Sequence, residues 1–114
     1  MTDDPRATAH CMYDAFNTRD YPAAHDIFAP DFYSHPLQAT GPQSVIDAWQ
    51  RLHRAFPDAH VVIERMIAET DCIAVHSTVH CIPGQQPPTM LEMFTVRNGR
   101  ITELWGLSNL RRHT

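Results

Sequence analysis

Glu92 is the residue whose surroundings most clearly suggest chemistry. It lies in the run TMLEMFTV (residues 89–96), between Leu91 and Met93, in one of the most apolar stretches of the chain. A carboxylate is costly to bury unless it is paired or takes up a proton, so burial among Phe and Met side chains raises its pKa. A carboxyl group of that kind is suited to acid–base catalysis. The sequence leaves open a structural alternative, an ion pair between Glu92 and Arg65.

Histidine is the other residue type that could take part in chemistry, and the chain has 8 of them. Histidine titrates near neutral pH and is the commonest metal ligand. His35 precedes Pro36, which favours an extended backbone at the histidine. The spacing of His76 and His80 would suit a metal on a helix, but the same spacing on a strand spans roughly 13 Å, too far for one ion. We therefore predict outward-facing or interface histidines and no metal site.

Helices in the first half of the chain must position these residues. Asp4 followed by Pro5 is typical of a helix start. Apolar residues then recur at helical spacing, which predicts helices over residues 5–17, 21–28 and 42–56. A brief aromatic strand is predicted over residues 32–35, between the second and the third helix.

The second half of the chain alternates between apolar and polar residues, as strands do. The predicted strands are His60–Glu69, Cys72–Ile82, Thr89–Arg97 and Arg100–Leu110, with a hairpin turn at Asn98-Gly99. Helices followed by an antiparallel meander indicate a single α+β domain over residues 1–114, with the helices on one face of a curved sheet. A curved sheet closed by helices forms a cone with a cavity.

Strand alternation also predicts the direction in which Glu92 points. The residues on its face of the strand are Met90, Glu92, Phe94 and Val96. Because this face is the more apolar one, we predict that Glu92 points inward. If the loop PGQQPP closes a symmetrical hairpin, Glu92 lies opposite Val79, and the inward face of the neighbouring strand is Val75, Ser77, Val79 and Cys81. A slip of one residue would reverse these faces, so the register is an assumption.

Composition excludes several classes of function. A net charge of -4 without a stripe of Lys and Arg argues against a nucleic-acid partner. The N-terminus, MTDDPR, is acidic, unlike a secretory signal, and no segment is long enough to span a bilayer, so we predict a soluble, cytoplasmic protein with no membrane partner. Cys11, Cys72 and Cys81 are odd in number and lack CxxC spacing, so we predict small buried hydrophobic side chains without a disulfide or a zinc site.

Three stretches of the sequence resemble one known group of proteins. They are YDAFNTRDYPAAHDIFAPDFYSHPL (residues 13–37), the helix from Gly41 to Asp58 ending in FPD, and MLEMFTVRNGRITELW (residues 90–105). Together they resemble the SnoaL-like and ketosteroid-isomerase-like members of the nuclear transport factor 2 (NTF2-like) superfamily. The resemblance implies a cone-shaped fold in which three N-terminal helices pack on a curved, mixed or antiparallel sheet around a pocket. It also implies a homodimer formed through the outer sheet face.

The resemblance implies roles for particular residues. His35 falls where the isomerases have a proton-abstracting aspartate before a proline, and Glu92 falls where they have a protonated acid that donates to the enolate oxygen. Met12 aligns with their oxyanion tyrosine, and Tyr13 is one residue away. The catalytic proposal is that neutral His35 takes a proton next to a carbonyl while Glu92 donates, with Tyr13 or Asn109 as a second donor. This chemistry needs no cofactor.

Two classes of function remain open on this scaffold. The first is a cofactor-independent isomerase, cyclase or lyase acting on an apolar substrate. The second is a non-catalytic module that binds a small apolar ligand or forms a dimer. Either class would use the same predicted contacts to the ligand, which are Met12, Phe16, Trp49, Ser77, Val79, Phe94 and Leu104.

Overall fold

Three helices and six strands form in succession along residues 4–110, the part of the chain that this computed structural model describes. The helices are α1 (Pro5–Thr18), α2 (Ala24–Ile27) and α3 (Pro42–Ala55), and a short 3-10 helix, Tyr21–Ala23, precedes α2. The strands are β1 (Phe28–Ser34), β2 (Ala39–Thr40), β3 (His60–Glu69), β4 (Cys72–His80), β5 (Thr89–Arg97) and β6 (Arg100–Ser108). The predicted α+β class is confirmed.

The helix boundaries follow from local capping. The Asp4 carboxylate accepts a hydrogen bond from the Arg6 backbone N–H at 2.9 Å, and Pro5 begins α1. The predicted second helix is shorter than expected because Phe28 takes an extended backbone, with φ of -102° and ψ of 141°, and begins β1. No helix within residues 4–110 is long and apolar enough to cross a membrane.

The six strands form one mixed sheet in the order β2-β1-β6-β5-β4-β3. Strand β1 runs parallel to β6, and every other neighbouring pair is antiparallel. The last strand therefore lies in the interior of the sheet, between β1 and β5. Helix α1 packs over the β3 and β4 side of the sheet, and α3 packs against β1.

The predicted register between β4 and β5 is wrong, although the predicted faces are right. Glu92 pairs with Val75 rather than with Val79. The last pair of the hairpin is Thr78 with Thr89, followed by a 2.9 Å hydrogen bond from the Val79 N–H to the Pro88 carbonyl, so the turn centres earlier than PGQQPP. Because the displacement is an even number of residues, every side chain keeps its face.

The prediction that all three cysteines are buried is also wrong. Cys11 and Cys81 are exposed, and Cys72 is partly buried. Cys11 lies off the apolar stripe of α1, whose buried members include Met12 and Phe16. Cys81 comes after the end of β4 and has a left-handed backbone with φ of 65°, so it does not continue the inward alternation of that strand.

Candidate active-site cavity

A cavity of about 240 Å³ lies between the helices and the inner face of the sheet. Its walls are largely apolar, and five aromatic rings contribute to them: Tyr13, Phe16, Phe28, Phe32 and Trp49. The predicted ligand contacts found in the lining are Met12, Phe16, Trp49, Val79 and Leu104. Tyr13 and Glu92 are the ionisable side chains among the described residues that line the cavity.

Tyr13 and Glu92 form a hydrogen-bonded pair in this cavity. The Tyr13 hydroxyl donates to Oε1 of Glu92 at 2.8 Å. Among the described residues Tyr13 is the one hydrogen-bond partner of Glu92, so Oε2 remains available to a molecule in the cavity. The ion pair with Arg65 that the sequence left open does not form, because Arg65 is exposed on β3.

Contacts near both ends of α1 hold Tyr13 in place. The Thr8 hydroxyl donates to the Gly99 carbonyl at 3.2 Å, in the turn between β5 and β6. Toward the other end of the helix, the Asn17 amide donates to the Val61 carbonyl at 3.0 Å and accepts from the Val61 N–H at 2.7 Å. Tyr13 itself is buried, with its ring 6.2 Å from that of Phe94 between centroids. The hydroxyl is thus fixed before any ligand arrives.

Burial raises the pKa of both members of the pair. The pKa of Glu92 lies above its ordinary value because burial removes hydration from the carboxylate, and the hydrogen bond from Tyr13 opposes this rise. The side chain keeps partial exposure, but it lines a mostly apolar cavity and is surrounded by protein atoms. The pKa of Tyr13 is raised by burial, then by the charge of Glu92 and by their hydrogen bond. Tyr13 is therefore a neutral donor, and Glu92 is the group that changes protonation state.

His35 does not line the cavity. Its Nε2 lies 2.6 Å from Oε2 of Glu103, and its ring stacks on Trp105 with a centroid distance of 3.4 Å. Strand alternation explains this position, because Phe32 and Ser34 point inward and the next residue therefore points to the outer face. The structure therefore places His35 among residues of the outer sheet face and not in the cavity lining, where the resemblance implies a proton-abstracting base.

Asn109, Ser77 and Phe94 also lie outside the lining. The Asn109 side chain accepts a hydrogen bond from the Thr89 N–H at 2.7 Å and extends the β5–β6 pairing at the sheet end. Ser77 and Phe94 point inward as predicted, but both are fully buried in the core, with 0% and 1% exposure.

The remaining histidines of the described residues form no metal cluster. Within residues 4–110, no group of three or more His, Cys, Asp or Glu side chains could hold a metal ion. His76 lies on the outer side of the sheet, as predicted, although its partner there is Leu91. His80 lies opposite His60, with their rings 5.5 Å apart between centroids. Buried His53 has its pKa lowered to about 4, first by burial and then by Arg19, and it contacts Tyr21 through Nδ1 at 2.7 Å.

Sequence reasoning missed several cavity residues. The ones that matter most are Ser34, Pro36 and Leu37 after the second helix, and Gly106 and Ser108 on the last strand. Alternation could have identified two of them, because Ser34 shares a strand face with Phe32 and Gly106 shares one with Leu104. A methyl group at Gly106 would lie 3.4 Å from Cγ of Glu92 and 3.6 Å from Cγ of Pro36. Gly106 thus leaves an open surface directly beside the carboxyl group.

The sequence of the chain matches one domain family over most of its length. The SnoaL-like domain matches residues 9–104. The chain belongs to the SnoaL-like domain family. This confirms the resemblance drawn from the sequence, and none of the curated proteins matches the chain.

Solved structures of the SnoaL-like group superpose on nearly the whole chain. A loop-truncation variant of IdmH is 27% identical, with a TM-score of 0.82 and 93% of each chain covered. Wild-type IdmH from Streptomyces antibioticus, described as a "putative polyketide cyclase", is 25% identical, with a TM-score of 0.79 over 93% of this chain and 92% of that chain. A SnoaL-like polyketide cyclase from Agrobacterium tumefaciens shares the fold at 11% identity, with a TM-score of 0.84 over 96% of this chain and 92% of that one.

Proposed function

We propose that this SnoaL-like protein is a cofactor-independent enzyme that moves a proton at a carbon next to a carbonyl group of an apolar substrate. The substrate lies in the cavity, which acts as the pocket of a cone-shaped NTF2-like fold. The main support is the 2.8 Å hydrogen bond between Tyr13 and Glu92 within apolar walls. The description of IdmH as a polyketide cyclase is consistent with this class of reaction.

In this proposal Glu92 is both the base and the acid. Its ionised carboxylate removes the proton from the α-carbon through Oε2, and the electron pair of the C–H bond moves into the enolate. The resulting neutral carboxylic acid then returns the proton to another carbon, or to the oxygen of a newly formed aldol. Because its pKa is raised, the carboxylate is a stronger base than an exposed one. Tyr13 holds Oε1 and keeps the carboxyl plane fixed throughout.

Glu92 takes over the role that the family resemblance assigned to His35. A base has to come within hydrogen-bond reach of the proton that it removes, and His35 faces the outer side of the sheet against Trp105. We therefore infer that the pair of His35 and Glu103 stabilises the β1–β6 contact and takes no part in the proton transfer.

Deuterium exchange into 1-tetralone, a small enolisable ketone, tests this function. The wild-type protein should accelerate exchange at the α-carbon in deuterated buffer, followed by proton NMR. Glu92→Gln should reduce the protein-dependent rate by about 10²–10⁴-fold, the range expected for a general base. Glu103→Gln is the matched control, because it changes the same side chain on the outer face and should keep the activity. Equal losses in the two variants would reject Glu92 as the base.

A non-catalytic binding function is the second candidate. It is favoured by the small number of polar groups in the lining, because an apolar cavity can retain a ligand without reacting with it. A binding module would hold 1-tetralone, detected by saturation-transfer NMR, without accelerating exchange. Glu92→Gln would then alter affinity at most a few-fold and have no rate to change.

We also propose that the outer sheet face forms a homodimer interface. Two cross-strand pairs, Leu91 with Leu107 and Met93 with Trp105, are exposed next to one another on β5 and β6. Large apolar side chains grouped on a surface are typical of protein contacts. Met93→Glu should give a monomer in sedimentation velocity experiments at concentrations where the wild type is a dimer. A wild type that sediments as a monomer at high micromolar concentration would reject the interface.

A further inference from the structure

Ser34 is a buried polar residue of the cavity wall that the reaction above does not use. It is 1% exposed and lines the cavity from the end of β1. Its Oγ accepts a hydrogen bond from the Leu37 N–H at 3.2 Å. The next residue, His35, is fixed by a 2.9 Å hydrogen bond from its N–H to the Leu104 carbonyl, so the end of β1 is held firmly against β6.

The hydrogen of the Ser34 hydroxyl has no acceptor among residues 4–110. A hydroxyl can donate one hydrogen bond and accept two, and here Leu37 already supplies the donor to the oxygen. Buried polar groups in folded proteins are nearly always paired. A donor without an acceptor in the wall of a cavity is a position where a ligand oxygen can complete the pairing.

The sheet register places this donor at a defined distance from Glu92. Ser34 pairs with Leu104 on β6, Leu104 pairs with Phe94 on β5, and Glu92 is two residues from Phe94 on the same strand. Two strand spacings and one pleat repeat correspond to roughly 12 Å between the Cα atoms of Ser34 and Glu92. Both side chains extend from these positions into the same cavity, a spacing that suits the two ends of a fused bicyclic ring.

The surface between the two polar groups is apolar. Gly106 lies directly opposite Glu92 on β6 and carries no side chain, and a methyl group there would come within 3.6 Å of Pro36. The aromatic rings of Phe32 and Trp49 also contribute to the cavity wall. A planar ligand can therefore lie across Gly106 with its faces against carbon atoms.

We propose that Ser34 is a specificity-determining residue that donates a hydrogen bond to an oxygen at the end of the substrate remote from Glu92. The substrate class is an apolar ketone of about bicyclic size, with its acidic carbon at Glu92 and a hydrogen-bond acceptor at the opposite end. The proposal rests on the proposed function for the orientation of the reacting end. The contact between Ser34 and the remote oxygen can be tested by binding alone.

Two ligands of the same size distinguish the hydrogen bond to the remote oxygen from contacts that depend only on the size of the substituent. The remote oxygen is present in 6-methoxy-1-tetralone and is replaced by carbon in 6-ethyl-1-tetralone. Dissociation constants of both ligands are measured by NMR titration for the wild type, for Ser34→Ala and for Ser44→Ala. Ser44 is the matched control, because its hydroxyl already donates to the Gly41 carbonyl at 2.7 Å and the residue does not line the cavity.

The wild type and Ser44→Ala should bind the methoxy ligand about fivefold more tightly than the ethyl ligand, the size expected of one neutral hydrogen bond. Ser34→Ala should lose this preference while its affinity for the ethyl ligand stays within about twofold. Any shift of the Leu37 turn in Ser34→Ala affects both ligands, so the comparison between the ligands removes it. A preference that survives in Ser34→Ala, no preference in the wild type, or no binding of either ligand would overturn the proposal.

Failure of this contact and failure of the proposed function give different results. If the contact is absent while Glu92-dependent exchange of 1-tetralone persists, the role of Ser34 is rejected and the function stands. If the methoxy preference depends on Ser34 but no exchange occurs, the contact stands and the catalytic function is rejected. For an active wild type, Ser34→Ala should raise KM for the methoxy ligand and leave its kcat nearly unchanged, since Ser34 does not contact the reacting carbon.

Discussion

Removal of the Tyr13 hydroxyl should raise the pKa of Glu92 further. In the wild type, burial raises this pKa and the hydrogen bond from Tyr13 partly opposes the rise. Tyr13→Phe keeps the ring and its burial but deletes the donor that stabilises the ionised carboxylate. A hydrogen bond to a charged group contributes about 1.5–3 kcal/mol, and a bond to the neutral acid about 1 kcal/mol. The difference of about 0.5–2 kcal/mol corresponds to a rise of about 0.4–1.5 pH units.

The measurement is a carboxyl-carbon NMR titration of Tyr13→Phe, with Glu92→Gln used to assign the signal. Tyr33→Phe is the matched control, because Tyr33 lies on the outer face beside His35 and its loss should leave the titration of Glu92 unchanged. The pH dependence of 1-tetralone exchange should move upward by the same amount as the titration, since the ionised carboxylate is the active form. An unchanged or lowered midpoint in Tyr13→Phe would refute the account of how this pair works.

Three further predictions follow from the same contacts. Because the pKa of Glu92 is raised in the folded state, the stability of the wild type falls as the pH rises through that pKa. In thermal scans above that pH, Glu92→Gln should therefore melt higher than the wild type, by about 4 °C for each kcal/mol of difference in the free energy of unfolding. This advantage should disappear below about pH 4, where the carboxyl group is protonated in both the folded and the unfolded wild type. Asn17→Ala removes two hydrogen bonds to Val61 and should lower the free energy of unfolding by about 1–3 kcal/mol in urea titrations, whereas Asn17→Asp, which keeps the acceptor, should lose less. Gly106→Ala should keep the melting temperature of the wild type, because the added methyl group meets its neighbours at ordinary contact distance. The same methyl group occupies the space beside Glu92 and should weaken 1-tetralone binding roughly tenfold. Unchanged binding would place the ligand elsewhere.

The sequence predicts the inward direction of Glu92 correctly although it predicts the strand pairing incorrectly. The face of a strand depends only on alternation, and alternation is local. The register depends on where the turn of the hairpin centres, and the eight residues between β4 and β5 allow several positions. The displacement from Val79 to Val75 changed the cross-strand partner of Glu92 but kept its side chain on the inner face of the sheet.

His35 shows why the positions of some site residues could not be predicted from the sequence. Pro36 indicates an extended backbone at His35 but gives no information about which face the side chain occupies. That face depends on the alternation of β1, and β1 begins at Phe28, before the predicted strand over residues 32–35 and at a residue expected to end a helix. The parallel contact between β1 and β6 joins residues about 70 positions apart, and no local pattern reports such a contact.

The interior position of β6 has a consequence for how the protein is made. As the ribosome synthesises the chain, β1 emerges early but its parallel partner emerges last, after the β3–β4–β5 meander. Until residue 108 has left the exit tunnel, β1 and the helix α3 that packs against it are not joined to the meander, and their apolar surfaces remain available to chaperones or to neighbouring chains. We therefore expect ribosome-bound chains that end before β6 to be sensitive to proteases, and the domain to become resistant in a single step when that strand is released.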